Sequence, residues 1–281
     1  MPEALIDAAT LRNRLDEHTP TVILDVRWKL GDDRGHEHYV DGHIPGALYA
    51  DINQDLAAPA SAAAGRHALP AIDDLTQSLQ RWGIHPDSTV VVYDDNASQS
   101  AARAWWLLRW AGIGDVRVLD GGLSAWRDAG NRLETGEQTA ADTGTATAVA
   151  GALPTWDIDA VARRGPDVLL VDARAGERYR GETEPVDPRP GHIPGALSAP
   201  TADNVDADGR FLPADRLRSR FTGLGIGDAK EVVVYCGSGV TAAHELLALE
   251  LAGFEAALFP GSWSQWSADA ERPAAVGENP R

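Results

Sequence analysis

The feature that most constrains this chain is that it is written twice. Thr21-Val-Ile-Leu-Asp25-Val-Arg27 is echoed by Val168-Leu-Leu-Val-Asp172-Ala-Arg174, and Gly42-His43-Ile-Pro-Gly-Ala47 returns unchanged as Gly191-His192-Ile-Pro-Gly-Ala196. Val91-Val-Tyr93-Asp94 matches Val233-Val-Tyr-Cys236, and Asp120-Gly-Gly-Leu-Ser-Ala-Trp126 matches Pro260-Gly-Ser-Trp-Ser-Gln-Trp266. Order is kept and only the lengths between motifs differ, which is the mark of a tandem duplication. A length of 281 residues also exceeds one ordinary domain. The stretch 134–153 is rich in Thr, Ala and Gly and poor in large apolar side chains. It is expected to be a linker, because it buries too little surface to offset its ordering entropy. The expected division is therefore a first domain over 1–133, a linker over 134–153 and a second domain over 154–281.

Within each copy, short β-branched runs (21–25, 89–93, 116–119, 168–172, 232–235) alternate with helical apolar spacing, as in 101–111 and 242–252. That alternation predicts an α/β fold in each half: a mainly parallel sheet with helices on both faces. In such sheets ligands bind beyond the carboxyl ends of strands. Cys236, the single cysteine of the chain, falls at such an end, in Val232-Val-Val-Tyr-Cys236-Gly-Ser-Gly-Val-Thr241. A turn with glycines at 237 and 239 can aim backbone amides inward, and the start of the next helix adds partial positive charge that favours a thiolate. The alternative is a buried, inert cysteine packed as a small hydrophobe.

Together, the Asp-Xaa-Arg strand end, the Gly-His-Ile-Pro-Gly-Ala box, the cysteine loop and the Gly-Xaa-Xaa-Xaa-Trp motif, each occurring twice and in order, resemble the tandem rhodanese-like sulfurtransferases. The resemblance implies two rhodanese-like domains, the first catalytically silent with Asp94 at the cysteine position. The implied reaction is ping-pong sulfur transfer: a Cys236 thiolate takes sulfur from a donor as a persulfide and passes it to a thiophilic acceptor. Amides from Gly237 through Gly239 and Val240 to Thr241 would stabilise the anionic sulfur.

The loop carries no charge between Cys236 and Thr241. Thiosulfate-preferring members of the family have basic residues there, whereas a neutral Gly-Ser-Gly loop is similar to that of the 3-mercaptopyruvate sulfurtransferases, which release pyruvate. The same resemblance implies that Arg178, in Glu177-Arg-Tyr-Arg-Gly181, binds the donor carboxylate, with Arg189 as the nearest match to a second arginine. A planar guanidinium suits a planar carboxylate; the alternative for Arg178 is a salt bridge to Glu182 or Glu184. It further implies a Ser–His–Asp relay, carried here by Ser238, His43 and an aspartate of the Leu30–Arg34 loop, Asp33 being taken over Asp32. Since His43 and Ser238 come from different halves, such a relay would have to form where the halves meet. His192 sits in an identical box, which points instead to a role for His43 in the fold. Asp25 and Asp172 read as strand-end carboxylates paired with Arg27 and Arg174.

Other classes fare worse. Cysteine phosphatases need an arginine six positions after the cysteine, and that position is Ala242. A formal net charge of −17 disfavours nucleic acid and anionic membranes as partners. No apolar run is long enough to span a bilayer, and one cysteine permits no intramolecular disulfide, so a cytoplasmic location is expected. No metal-ligand spacing or dinucleotide fingerprint is present, so no cofactor is expected. The expected partners are thus a small sulfur donor, either 3-mercaptopyruvate or thiosulfate, and an acceptor thiol, thioredoxin or cyanide. The remaining alternatives are a thiosulfate:cyanide sulfurtransferase and a sulfur carrier that does not turn over.

Overall fold

The computed structural model describes residues 3–278, which divide into two compact units. In the first, strands β1 (Leu5–Ile6), β2 (Val22–Asp25), β3 (Leu48–Tyr49), β4 (Thr89–Tyr93) and β5 (Asp115–Leu119) form a sheet of order β1-β5-β4-β2-β3. In the second, β6 (Val168–Asp172), β7 (Leu197–Ser198), β8 (Glu231–Tyr235) and β9 (Ala257–Leu258) form a sheet of order β7-β6-β8-β9. Every pairing is parallel. Strand alternation explains how each sheet is covered. On β4, Val91 and Tyr93 join a core cluster with Leu11 and Trp126, while Val90 and Val92 point to the opposite face and are equally buried. The helix Gln99–Trp110 contacts β4 and β5 and is buried along nearly its whole length, Trp105 and Trp106 included.

The duplicated motifs build the same hydrogen-bonded frame in both units. Arg27 Nη2 donates to Asp25 Oδ2 at 2.6 Å and to the Gly42 carbonyl at 2.8 Å; Arg174 does the same with Asp172 and Gly191, each at 2.6 Å. The Tyr39 hydroxyl donates to the Ala47 carbonyl, and that of Tyr179 to the Ala196 carbonyl. The Tyr93 and Tyr235 hydroxyls accept the amides of Ile44 and Ile193. The box thus ties the loop after one strand to the end of the next. Its buried backbone and hydroxyl groups are matched as burial requires, whereas the Nε2 atoms of His43 and His192 are buried without a hydrogen-bond partner.

The units do not divide at one linker. The first comprises the described residues up to Ala57, with Pro70–Leu153 and Asp206–Phe211; the second comprises Ala58–Leu69, Pro154–Val205 and the described residues from Leu212 onward. The stretch 134–153 is not a free linker but part of the first unit. Its backbone bonds along that unit, with Gly136 N to the Val40 carbonyl, Ala146 N to Ile84 and Val149 N to Ala111, and its small side chains Ala146 and Ala148 are buried. Backbone hydrogen bonds, not large apolar side chains, offset its ordering entropy. In return, 58–69 leaves the first repeat and packs with the second. It is held there by Arg66 N bonding Ser264 Oγ at 3.1 Å and Gln265 Nε2 bonding the Ala63 carbonyl at 2.6 Å.

Candidate active site

β8 delivers Cys236 to its carboxyl end, as the β-branched run requires. The residue is 1% exposed. Its amide donates to Ser262 Oγ at 3.1 Å and its carbonyl accepts from Trp263 N, so the backbone is fixed on both sides. The Gly239 amide donates to Cys236 Sγ at 3.1 Å. Gly239 has φ +81°, a left-handed conformation that costs glycine nothing and lets its N–H turn back onto the sulfur. Val240 is buried and caps the helix Thr241–Leu251. The loop therefore presents a backbone donor, the Gly239 amide, to the thiol.

Around this loop, the segment 58–69 contributes two adjacent side chains. His67 is buried, and its Nδ1 lies 2.7 Å from Ser238 Oγ. Arg66 forms an ion pair with Asp187 through Nη1. Arg178 Nη2 reaches the other oxygen of Asp187 at 3.3 Å and Glu184 Oε1 at 2.7 Å. Burial would raise the Glu184 pKa, but the Asp187 amide and the Arg178 guanidinium outweigh it and hold that carboxyl below its ordinary range. At Asp187 the balance reverses: burial dominates and pushes the carboxyl up, with Arg66 and Arg178 opposing. A methyl group at residue 237 would stand 3.1 Å from Arg66 Nη2 and 3.3 Å from Arg178 Nη1. Glycine keeps that space open.

A buried thiol on a strand end, an amide aimed at its sulfur and guanidinium groups beside the next residue form an arrangement suited to covalent chemistry on an anionic donor. The sequence is in keeping with this. The model of the rhodanese-like domain matches residues 7–129 and again 159–269. The chain belongs to the rhodanese-like domain family. Two bacterial relatives each cover 98% of this chain and are themselves covered to 98%. One, from Pseudomonas aeruginosa, is 47% identical and provisionally named a 3-mercaptopyruvate sulfurtransferase. The other, SseB from Mycobacterium tuberculosis, is 44% identical and provisionally named a thiosulfate sulfurtransferase. Among solved structures, the 3-mercaptopyruvate sulfurtransferase SseA from Escherichia coli superposes with a TM-score of 0.81 at 32% identity, over 93% of this chain and 99% of that one.

Within this rhodanese-like frame, several expected site residues fall elsewhere. His43 is not the partner of Ser238. Its Nδ1 bonds the Tyr39 carbonyl at 2.9 Å and its ring stacks on Tyr39 at 4.3 Å, while His192 makes the same bond to Tyr179 at 2.8 Å with stacking at 3.7 Å. The shared box gives both histidines the same structural task. Asp33 is exposed, and Asp32 bonds the Arg34 amide and His38, so neither orients His43. Asp33 lines a cavity of about 1200 Å³ formed wholly by first-unit residues, away from Cys236. Arg189 is not placed for a donor: its guanidinium bonds the carbonyls of Trp266, Ser267, Asp269 and Arg272 at 2.7–3.1 Å and ties down the end of the helix Ser262–Ala268. The structure keeps Cys236, Gly237, Ser238, Gly239 and Arg178 together, with Val240 and Thr241 at the helix start. The expected site omitted Arg66 and His67. Their only local signal is an Arg-His pair after the small-residue run Ala58–Gly65, and sequence spacing from the second repeat gives no hint of their destination.

Proposed function

We propose that this chain is a 3-mercaptopyruvate sulfurtransferase with Cys236 as nucleophile. The observation that carries the reading is the pairing of an uncharged cysteine loop with guanidinium groups at Gly237, one residue from the sulfur. Charge is thus placed for the far end of a donor and not beside its reacting sulfur. The Cys236 thiolate attacks the donor sulfur, an S–S bond forms, and the C–S electron pair leaves as the enolate of pyruvate. The carbon then takes a proton, so thiol and 3-mercaptopyruvate give persulfide and pyruvate with no external oxidant. Ser238 Oγ, bonded to His67, is the group placed to hold and return that proton near the reacting atoms. The Gly239 amide bonds the sulfur and supports its anionic form. An acceptor thiol, thioredoxin or cyanide then removes the outer sulfur and frees Cys236.

The near-complete burial of Cys236 is what a sulfur carrier without turnover would also display, so the decisive assay separates loading from turnover. Intact mass after mixing with 3-mercaptopyruvate should rise by roughly 32 Da, one sulfur atom, with one pyruvate released per chain. Added thiol acceptor should then drive pyruvate well beyond one equivalent. Loading without turnover would assign a carrier, a higher kcat/KM for thiosulfate would assign the thiosulfate enzyme, and loading of Cys236→Ser would remove Cys236 from the reaction. Among the described residues no helix is long and apolar enough to cross a membrane. With a single thiol that must stay reduced between cycles, a cytoplasmic location suits the proposed activity.

A further inference from the structure

Cys236 stands where the ladder between β8 and β9 gives out. We infer that Ser262 is a positioning residue for sulfur loading: its hydroxyl, inserted into the last bond of that ladder, sets the strand end so that the Cys236 sulfur meets the Gly239 amide. This rests on the proposed reaction at Cys236 and adds to it a side chain that acts through the backbone of the nucleophile.

The pairing of β8 with β9 runs through Val233 with Ala257 and Val234 with Leu258, and Phe259 N still donates to the Val234 carbonyl at 2.9 Å. In a parallel ladder the next bond would run from the Cys236 amide to the Phe259 carbonyl. A bridge takes its place. The Cys236 amide donates to Ser262 Oγ at 3.1 Å, and that hydroxyl donates its own proton to the Phe259 carbonyl at 3.0 Å. One hydroxyl thus fills the gap between two main-chain groups that would otherwise pair directly, and it holds the two strand ends apart at the nucleophile. Its single proton is committed to Phe259, so a lone pair must face Cys236.

The backbone is strained to make this insertion. Ser262 is fully buried and has φ +54°, a left-handed conformation that side chains disfavour. The matching residue of the first copy is Gly122, at φ +56°, where glycine meets no such penalty. A Cβ at 122 would stand 2.3 Å from the Asp94 carbonyl oxygen, so the first copy has no room for a serine there. Both copies nevertheless keep the bond that follows, Leu123 N to the Asp94 carbonyl and Trp263 N to the Cys236 carbonyl, each at 2.9 Å. Room for a side chain at 262 therefore comes from a different placement of the strand end. The copy that carries the nucleophile is the one that accepts strain to have a hydroxyl there. From that placement Gly239 N lies 3.1 Å from the sulfur. Without the hydroxyl, the Cys236 amide is free to close onto the Phe259 carbonyl, which draws the residue toward β9 and its sulfur off the Gly239 amide.

Two substitutions separate position from stability. Ser262→Ala removes the hydroxyl and keeps the unfavourable φ, whereas Ser262→Gly removes the hydroxyl and relieves the strain. The glycine variant should therefore have the higher unfolding midpoint of the two, by a few degrees. Loading is read as single-turnover pyruvate release from 3-mercaptopyruvate, with the chain in excess at varied concentration. In both variants the maximal rate should fall about ten- to a hundredfold, as a displacement of up to about 1 Å at a reacting atom entails. The half-saturating concentration should stay within about twofold, because Ser262 is not among the groups placed to bind the donor. A signal independent of the donor comes from Gly239, the glycine of the only Ser-Gly pair in the sequence. Isotope labelling of serine carbonyls together with glycine nitrogens selects its amide in an NMR spectrum, and its proton should move upfield in both variants as the bond to sulfur lengthens. If the wild-type chain releases no pyruvate, the proposed reaction fails, and the Gly239 signal still decides for or against Ser262. Loading by Ser262→Gly at the wild-type rate would make Ser262 a matter of stability alone and overturn the inference, as would a Gly239 resonance unmoved in either variant.

Discussion

The two histidines, His43 and His67, separate a structural from a chemical role, and glutamine at each position should produce opposite phenotypes. In His43→Gln the bond to the Tyr39 carbonyl at 2.9 Å and the ring stacked at 4.3 Å are lost from a fully buried site. A neutral hydrogen bond contributes about 1 kcal/mol net and a ring pair about another 1 kcal/mol, so the first unit should lose about 2 kcal/mol. At about 2–4 °C per kcal/mol for a unit of this size, its transition should fall by about 4–8 °C. Pyruvate formation per folded molecule at 25 °C should stay within threefold of wild type. His67→Gln removes the imidazole 2.7 Å from Ser238 Oγ. If that pair handles the proton taken by the leaving enolate, the persulfide-forming step should slow by about 10²–10⁴-fold, or about 3–5 kcal/mol of barrier. The assay is single-turnover pyruvate release with the chain in excess, which excludes acceptor steps, alongside thermal unfolding monitored by circular dichroism. A hundredfold loss in His43→Gln with an unchanged transition, together with near-normal turnover in His67→Gln, would refute this assignment and restore His43 to the chemistry.

Two further outcomes concern the second unit. Arg189→Ala leaves four carbonyl acceptors without their guanidinium and should cost about 2–4 kcal/mol, read as a lower unfolding midpoint, while KM for 3-mercaptopyruvate in the folded fraction stays within twofold. A tenfold rise in KM would return Arg189 to the donor site. Glu245 is fully buried, and burial pushes its carboxyl from 4.5 up to about 7 against the pull of Arg220 and Asn204. A raised folded value means its contribution is fully present below the unfolded pKa and is lost as pH rises through about 7. Above that pH the ionised group costs about 3 kcal/mol, so Glu245→Gln should gain relative to wild type between pH 5 and pH 8 in urea unfolding. A difference that does not change over this range would show that Arg220 already offsets the burial.

Much of the frame was legible because it is local and repeated. The strand ends Asp25 and Asp172, their arginines and the two histidine boxes lie within one or two motifs of each other, and each is confirmed by its copy. Cys236 could be placed because a β-branched run followed by glycines fixes both a strand end and a turn. The same repetition misled in one respect. His43 offered the right chemistry for Ser238, yet an identical motif with an identical bond at His192 shows that the box uses the imidazole to hold a tyrosine carbonyl. Arg189 misled through chain proximity to Arg178, although four carbonyls from the last helix claim it. The true neighbours of the loop, Arg66 and His67, lie well over a hundred residues away in a segment of small residues with no periodicity. Long-range packing of such a stretch is set by backbone bonds to Ser264 and Gln265, and nothing in its own pattern encodes them.

The two loops at the strand ends also explain each other. Helix starts at Gln99 and Thr241 keep the same spacing from Asp94 and Cys236, so the loops are equal in length. In the first unit the Asp94 carboxylate collects the amides of Asn96, Ser98, Ser100 and Ala101 at 2.8–2.9 Å, with no exposed surface left. Its oxygens stand two bonds from Cβ. The outer sulfur of a cysteine persulfide also stands two bonds from Cβ and is likewise anionic. A loop built to gather amides around charge at that distance is therefore permanently filled in the first copy. In the second copy Cys236 places only its sulfur, one bond from Cβ, within reach of the Gly239 amide. Of the equivalent amides, that of Ala243 donates to the Val240 carbonyl, which leaves those of Ser238, Val240 and Ala242 as the candidate donors to a second sulfur in the proposed persulfide. Under the proposed mechanism, the difference between the copies is whether the anion at that distance is part of the chain, as at Asp94, or delivered by a donor to Cys236.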